Sequence, residues 1–230
     1  SRQDEQAEKH HGIAREQGSP FMRMFNFIYQ GSASIDTART RVEGTPAEHL
    51  LLQVFCGIPE QAYIAALLAQ LQQAFPGVAI LGITTAGEIM DGEQHEQTTV
   101  ITVMAFSATC CSTALVTQND DLFQAGQTLA QALFQDDTTT CIVFACGIRD
   151  GVPMNGEPLM QGLKEANAQI IIAGGQAGDN GQGIASWDFT EQGITAHGVA
   201  AAALHGSQLR VRNSYKLGWV PIGKKMTITA

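Results

Sequence analysis

The chain has 230 residues and a formal net charge of −9, with 44% hydrophobic and 15% charged residues. That apolar share can bury a substantial core, enough for one large domain or two small ones. The acidic balance excludes the basic footprint of a nucleic-acid binder and disfavours docking on anionic membranes, and no apolar run of about 18 residues predicts a membrane span.

Residues 1–22 begin with a polar stretch that lacks periodicity, SRQDEQAEKHHGIAREQGSP, and are expected to be a disordered tag or linker. A first strand is predicted over 25–29 and a helix from Ser34 to about Glu43, ended by Gly44-Thr45-Pro46. The near-continuous apolar run at 50–56 reads as a strand covered on both faces. Pro59 and Glu60 open a helix whose Tyr63, Leu67, Leu71 and Phe75 recur at i+4 as one buried stripe. A second apolar strand follows at 78–83 and runs into the turn Thr84-Thr85-Ala86-Gly87-Glu88. Segments 99–106 and 111–117 read as strands of a hairpin or meander, and Asp120 or Asp121 caps a helix with Leu122, Leu129 and Leu133 inward.

The pattern then restarts. A strand at 141–146, a helix at 158–166 and a strand at 170–173 lead into Gly174-Gly175-Gln176-Ala177-Gly178-Asp179, and further strands are expected at 184–189, 196–204 and 209–215. Cys56-Gly57-Ile58 matches Cys146-Gly147-Ile148, and Ala86-Gly87-Glu88 matches Ala177-Gly178-Asp179. An internal repeat follows, with halves over roughly 49–117 and 139–215. The fold class is α/β, bordering on α+β: duplicated βαβ units with mixed sheets flanked by helices, open to an αββα sandwich. In each unit the parallel strands would point their carboxyl ends at one glycine-opened rim, the usual place for a ligand in open α/β sheets. The two rims are expected to face each other around a shared hollow.

Gly174, Gly175, Gln176, Gly178 and Asp179 form the sharpest candidate site, because bare peptide N–H groups can cradle a carboxylate or phosphate. Tight turns that let strands pack closely are the alternative. The glycine spacing is not that of a dinucleotide-binding loop. Thr85, Gly87 and Glu88 occupy the matching turn. Glu88 and Asp179 suit an amino or guanidino group of a ligand, or simply accept bonds from turn N–H groups. Arg149 suits a ligand carboxylate or a surface ion pair. Cys56 and Cys146 are either nucleophiles or small buried filler. His197 and His205 bracket a strand rich in small residues (Ala200 to Ala203) and are the histidines able to ligate haem, unless they merely bond turn backbone. His10 and His11 lie in the presumed tag. The five cysteines are odd in number with no CxxC pair, so reduced thiols, a cytoplasmic location and no structural metal site are expected.

The stretches LLLQVFCG (50–57), ITTAGEI (83–89), GGQAGD (174–179), HGVAAAAL (197–204) and GWVPIG (218–223) resemble the FIST family of sensory domains. The resemblance makes 23–230 a FIST N-terminal domain. Relatives continue beyond the GWVPIG segment, so an N-terminal region without its C-terminal FIST partner is expected. It implies a small-molecule sensor for an amino acid or similar polar ligand, not an enzyme and without a required cofactor. Its partners would be the adjoining C-terminal region or an output protein such as a histidine kinase or a cyclic-dinucleotide enzyme. The resemblance also implies two alternatives: a haem-dependent nitric-oxide sensor, since some relatives bind haem, and a protein-interaction platform. An enzyme acting through Cys56 or Cys146 would be a separate class, recognised by reactive thiols.

Overall fold

A computed structural model describes residues 22–117, 121–149 and 151–214. Two sheets stack face to face. The first runs β1 (Met22–Ile28), β6 (Thr99–Phe106), β2 (Leu50–Cys56), β3 (Ala79–Thr84), β12 (Asp188–Thr190) and β13 (Gly193–Thr195). The second runs β11 (Ile171–Gln176), β8 (Thr138–Ala145), β14 (Val199–His205) and β7 (Cys110–Val116). Two small hairpins stand apart, β4 (Glu88–Met90) with β5 (Glu93–His95) and β9 (Ile148–Arg149) with β10 (Val152–Pro153).

Alternation along the strands sorts the apolar residues into three cores. Leu50, Leu52 and Val54 of β2 face α1 (Ser32–Thr40) and α2 (Gln61–Ala74), which bring Ile35, Ile64, Leu67 and Leu71. Cys141, Val143 and Ala145 of β8 face α3 (Leu122–Leu133) and α4 (Glu157–Ala166), which bring Leu129, Leu133, Leu159 and Leu163. Leu51, Leu81 and Ile83 from the first sheet meet Phe144, Ala200 and Ala202 from the second in the layer between. Phe55 and Phe144 pack edge to face there, with centroids 6.0 Å apart. The chain is therefore an α/β sandwich with repeated βαβ units and helices outside both sheets. Each fully buried leucine side chain contributes about 1.5–3 kcal/mol by leaving water.

The helices begin and end where local chemistry allows. The Asp121 side chain accepts from Phe123 N–H (2.9 Å) and Gln124 N–H (3.2 Å) and so caps α3, while Pro158 sits in the first turn of α4. In α2, Ile64, Leu67, Leu68 and Leu71 are buried at i, i+3, i+4 and i+7 spacing.

Each sheet holds the same connection. β1-α1-β2-α2-β3, a hairpin and β6 give the strand order β1-β6-β2-β3; β7-α3-β8-α4-β11, a hairpin and β14 give β7-β14-β8-β11. β2 is parallel to β3 and β8 to β11, while β6 and β14 return antiparallel. The unit is longer than the βαβ core: it includes β1 and α1 ahead of residue 49, and β7 opens the second unit although the sequence grouped it with the first.

Segments 99–106 and 111–117 do not form a hairpin with each other. β6 is buried along its whole length between β1 and β2, whereas β7 crosses to the other sheet and pairs with β14. The strand expected over 184–189 shrinks to Asp188–Thr190, because residues 184 and 185 bend around the Asp179 carboxylate. No strand forms over 209–214, and residue 215 lies outside the described residues. So do the leader up to residue 21 and Trp219 and Pro221 of the GWVPIG segment.

Candidate functional site

The carboxyl ends of β3 and β11 do meet, but as a hydrogen-bonded seam. Gly178 N–H donates to Thr84 C=O (2.8 Å) and Asn180 N–H to Thr85 C=O (3.3 Å). The Asn180 side-chain amide reaches Gly57 C=O at 2.7 Å, with its own backbone at φ 57°. Asn180 was not singled out in the sequence, although an Asn-Gly pair after an aspartate is a turn signal. The seam also sets the register between the units. Thr85 N–H donates to Cys56 C=O as Ala177 N–H donates to Ala145 C=O, so each tripeptide match lies one residue away from the structural equivalence.

Both candidate carboxylates are taken up by groups of their own unit beside the seam. Glu88 is buried and accepts from Thr85 Oγ1, Thr98 Oγ1 (2.7 Å) and Thr98 N–H (3.3 Å). Its oxygens lie over Gly57, where an added Cβ would be 2.6 Å from Oε1. Asp179 is 2% exposed, and its Oδ2 accepts from Ile184 N–H (2.6 Å) and Ala185 N–H (3.2 Å). Burial opposes ionisation of Asp179, but the surrounding backbone N–H groups outweigh it and hold the carboxyl below the usual range. Thr85 and Gly178 thus lie in the junction between units, while Glu88 and Asp179 brace the turns on either side and Gly87 approaches His95 of its own hairpin. Arg149 lies elsewhere, its Nη2 donating to His197 C=O at 2.5 Å.

Gly174, Gly175 and Gln176 are in a different environment. They end β11, an outer strand of its sheet, and residues 173–176 are exposed. They line an open hollow of about 730 Å3 on the helix-facing side of the second sheet. Its apolar wall comes from Val143, Ala145, Leu159, Met160 and Ile172, and residues 211–214 close one side. Arg212 is the one charged group among the described lining residues. Thr140 also lines it, and its buried hydroxyl finds no hydrogen-bond partner. Gly174 is required by close approach, since a Cβ there would fall 1.7 Å from Val143 C=O. Arg212, Met160 and Thr140 carry no sequence signal; only the fold brings them beside the glycines.

Burial pushes Cys56 and Cys146 above the usual thiol range despite hydrogen bonds from Thr99 and Ser186, and pushes Cys111 and Cys141 up to about 12. Each of the strand-end thiols donates to a carbonyl two residues on, Cys56 to Ile58 (3.2 Å) and Cys146 to Ile148 (3.0 Å). The histidines do not fit haem. His205 is buried with both ring nitrogens engaged, by Ser112 Oγ (2.7 Å) and Thr138 Oγ1 (2.9 Å), and burial depresses its pKa. His197 is exposed and does not line the hollow. Among the described residues no cluster of three His, Cys, Asp or Glu side chains could hold a metal ion, and no helix is long and apolar enough to cross a membrane.

A fully buried acid was also missed. Asp188 on β12 has neither carboxylate oxygen hydrogen-bonded, and burial raises its pKa well above the usual value.

A search of curated proteins found no match. The comparison with family models matched residues 50–230 to the FIST N domain, a span that includes the βαβ cores of both units, the seam and the hollow. On that match, which takes in well over half of its residues, the chain belongs to the FIST N domain family.

Proposed function

We propose that this chain is the ligand-binding part of a signalling protein, and that the hollow beside β11 takes a small carboxylate-bearing molecule with an apolar body, such as an amino acid. The carrying observation is the hollow itself. Protein interiors are close-packed, and an opening of about 730 Å3 falls in the range of small-molecule sites. The mostly apolar wall would take the ligand body. Arg212 supplies a guanidinium for its carboxylate, and Gly174 and Gln176 offer edge peptide groups beside it. Buried, protonated thiols support a binder over an acyl-transfer enzyme, and five free cysteines fit a cytoplasmic setting. The output would pass to an adjoining C-terminal FIST region, a histidine kinase or a cyclic-dinucleotide enzyme, provided the ligand favours one conformation over another.

Thermal shift against an amino-acid panel tests this. A true ligand at one hundred times its Kd stabilises the fold by about 2.7 kcal/mol. Arg212→Glu should abolish the shift for carboxylate-bearing ligands while leaving the unliganded melting temperature unchanged. A panel without any shift, or one insensitive to Arg212, defeats the reading.

A further inference from the structure

The two units differ at one edge. In the first sheet, β12 runs antiparallel along the outer side of β3, with Asp188 opposite Ile83, Phe189 opposite Gly82 and Thr190 opposite Leu81. The Phe189 ring is fully buried and fills the space over Gly82, where a Cβ would lie 1.9 Å from it. Thr84 N–H, at the end of that edge, donates to Trp187 C=O at 2.9 Å. In the second sheet the equivalent strand is β11. Gly82 pairs with Val54 and Gly174 with Val143, both valines lying in helix-facing cores, so Gly174 is the counterpart of Gly82. Gln176 is likewise the counterpart of Thr84. Among the described residues nothing pairs with the outer side of β11, and Gly174 lines the hollow on the helix-facing side, the side on which the Phe189 ring covers Gly82.

We propose that the β11 edge is a docking site for an acidic extended segment of another protein, which adds as an antiparallel strand and seats an aromatic ring in the hollow over Gly174. The chain itself supplies the template. The aromatic sits between short polar neighbours in β12, and edge peptide groups give affinity while the pocket for one side chain gives specificity. Charge selects an acidic partner. Arg212 is the charged residue among the described residues on the hollow wall, and on the template side Glu191 follows the ring two residues on. Glu191 also caps the β3 edge, its Oε2 accepting from Ile80 N–H at 2.9 Å. The counterpart of Ile80 is Ile172, whose N–H faces the bare side of β11. A docked ring and a small ligand would compete for the same hollow, which links ligand binding to release of the partner. The strand site itself does not depend on the small-molecule reading.

The probe is a fluorescent peptide reproducing residues 185–195, titrated with the ligand-free full chain and read by anisotropy. Saturable binding is expected, weakened about tenfold or more by Phe189→Ala in the peptide. Two protein variants report the two halves of the site. Gln176→Pro removes an outward N–H from the edge, and Met160→Trp fills the hollow; each should weaken binding by a similar factor while circular dichroism stays native. Arg212→Glu should weaken it less, by about threefold, and the wild-type affinity should fall with salt. No saturable binding, or binding indifferent to the ring and to both variants, overturns the proposal. So does wild-type self-association that Gln176→Pro abolishes in sedimentation, because a second copy would then hold the edge. Failure here leaves the amino-acid panel untouched, and failure of the panel leaves the peptide result untouched.

Discussion

The outer edges of β3 and β11 are the same structural position treated in opposite ways. β3 is covered by β12 and has Phe189 packed over its glycine, with every residue buried; among the described residues β11 ends its sheet, with residues 173–176 exposed and a hollow beside its glycine. The lesson is that glycine in a second strand does not by itself make a ligand site. It makes a slot, and the neighbouring segment decides whether the slot is filled from within the chain. Exposed strand edges are usually blunted or covered, so a bare one beside a hollow points to use.

The most direct way to break this comparison is to make the first edge resemble the second. Phe189→Ala should open a cavity over Gly82 and destabilise the fold by about 3–5 kcal/mol in denaturant unfolding. A cost below about 1 kcal/mol would mean that Phe189 is not the plug this comparison requires. The junction beside the two edges comes next. Asp179→Asn should cost about 1–3 kcal/mol, since it weakens the bonds to Ile184 and Ala185 N–H. The Asp179 carboxyl is depressed in the fold, so its contribution is present above about pH 4 and lost as pH falls through the lower folded value. The gap between variant and wild type in urea midpoints should therefore narrow on acidification.

Asp188 sharpens the comparison from the covered side. Its carboxyl is raised by burial, so the folded protein keeps a proton that the unfolded chain loses, and stability falls as pH rises above about 4. Asp188→Asn should raise the melting temperature at pH 8 and leave it unchanged near pH 3. A variant less stable than wild type at both pH values would show that the acid has a partner. The smallest effect belongs to the bare edge. Met160→Ala should cost under about 1 kcal/mol, because its side chain borders the hollow, whereas Leu163→Ala one turn on, fully buried, should cost about 2–5 kcal/mol. Equal costs would mean that the hollow is closed in solution.

Much of the fold was legible. The apolar runs at 50–56 and 99–106, the i+4 stripe of α2 and the Asp121 cap each report a local rule, and the structure keeps them. The repeated strand–helix–strand pattern was visible for the same reason. The candidate site was only partly legible. Gly174, Gly175 and Gln176 line the hollow, whereas Asp179 accepts from nearby turn N–H groups, the alternative reading of a turn acid, and Glu88 is held by Thr85 and Thr98. Arg149 and His205 were drawn by residue type, and each is tied to a neighbour that no local pattern reveals.

The sequence alone determined where apolar periodicity changes, where turns must fall and which family the chain resembles, because these depend on neighbours within a few residues. Tertiary structure alone decided that β7 belongs to the second sheet, that the two acid-bearing turns close on each other, and that β12 crosses to cover β3 while no described strand covers β11. Those outcomes depend on contacts between residues about 100 positions apart, such as Phe189 over Gly82, whose energies come from fitting surfaces together and leave no periodic trace in the chain.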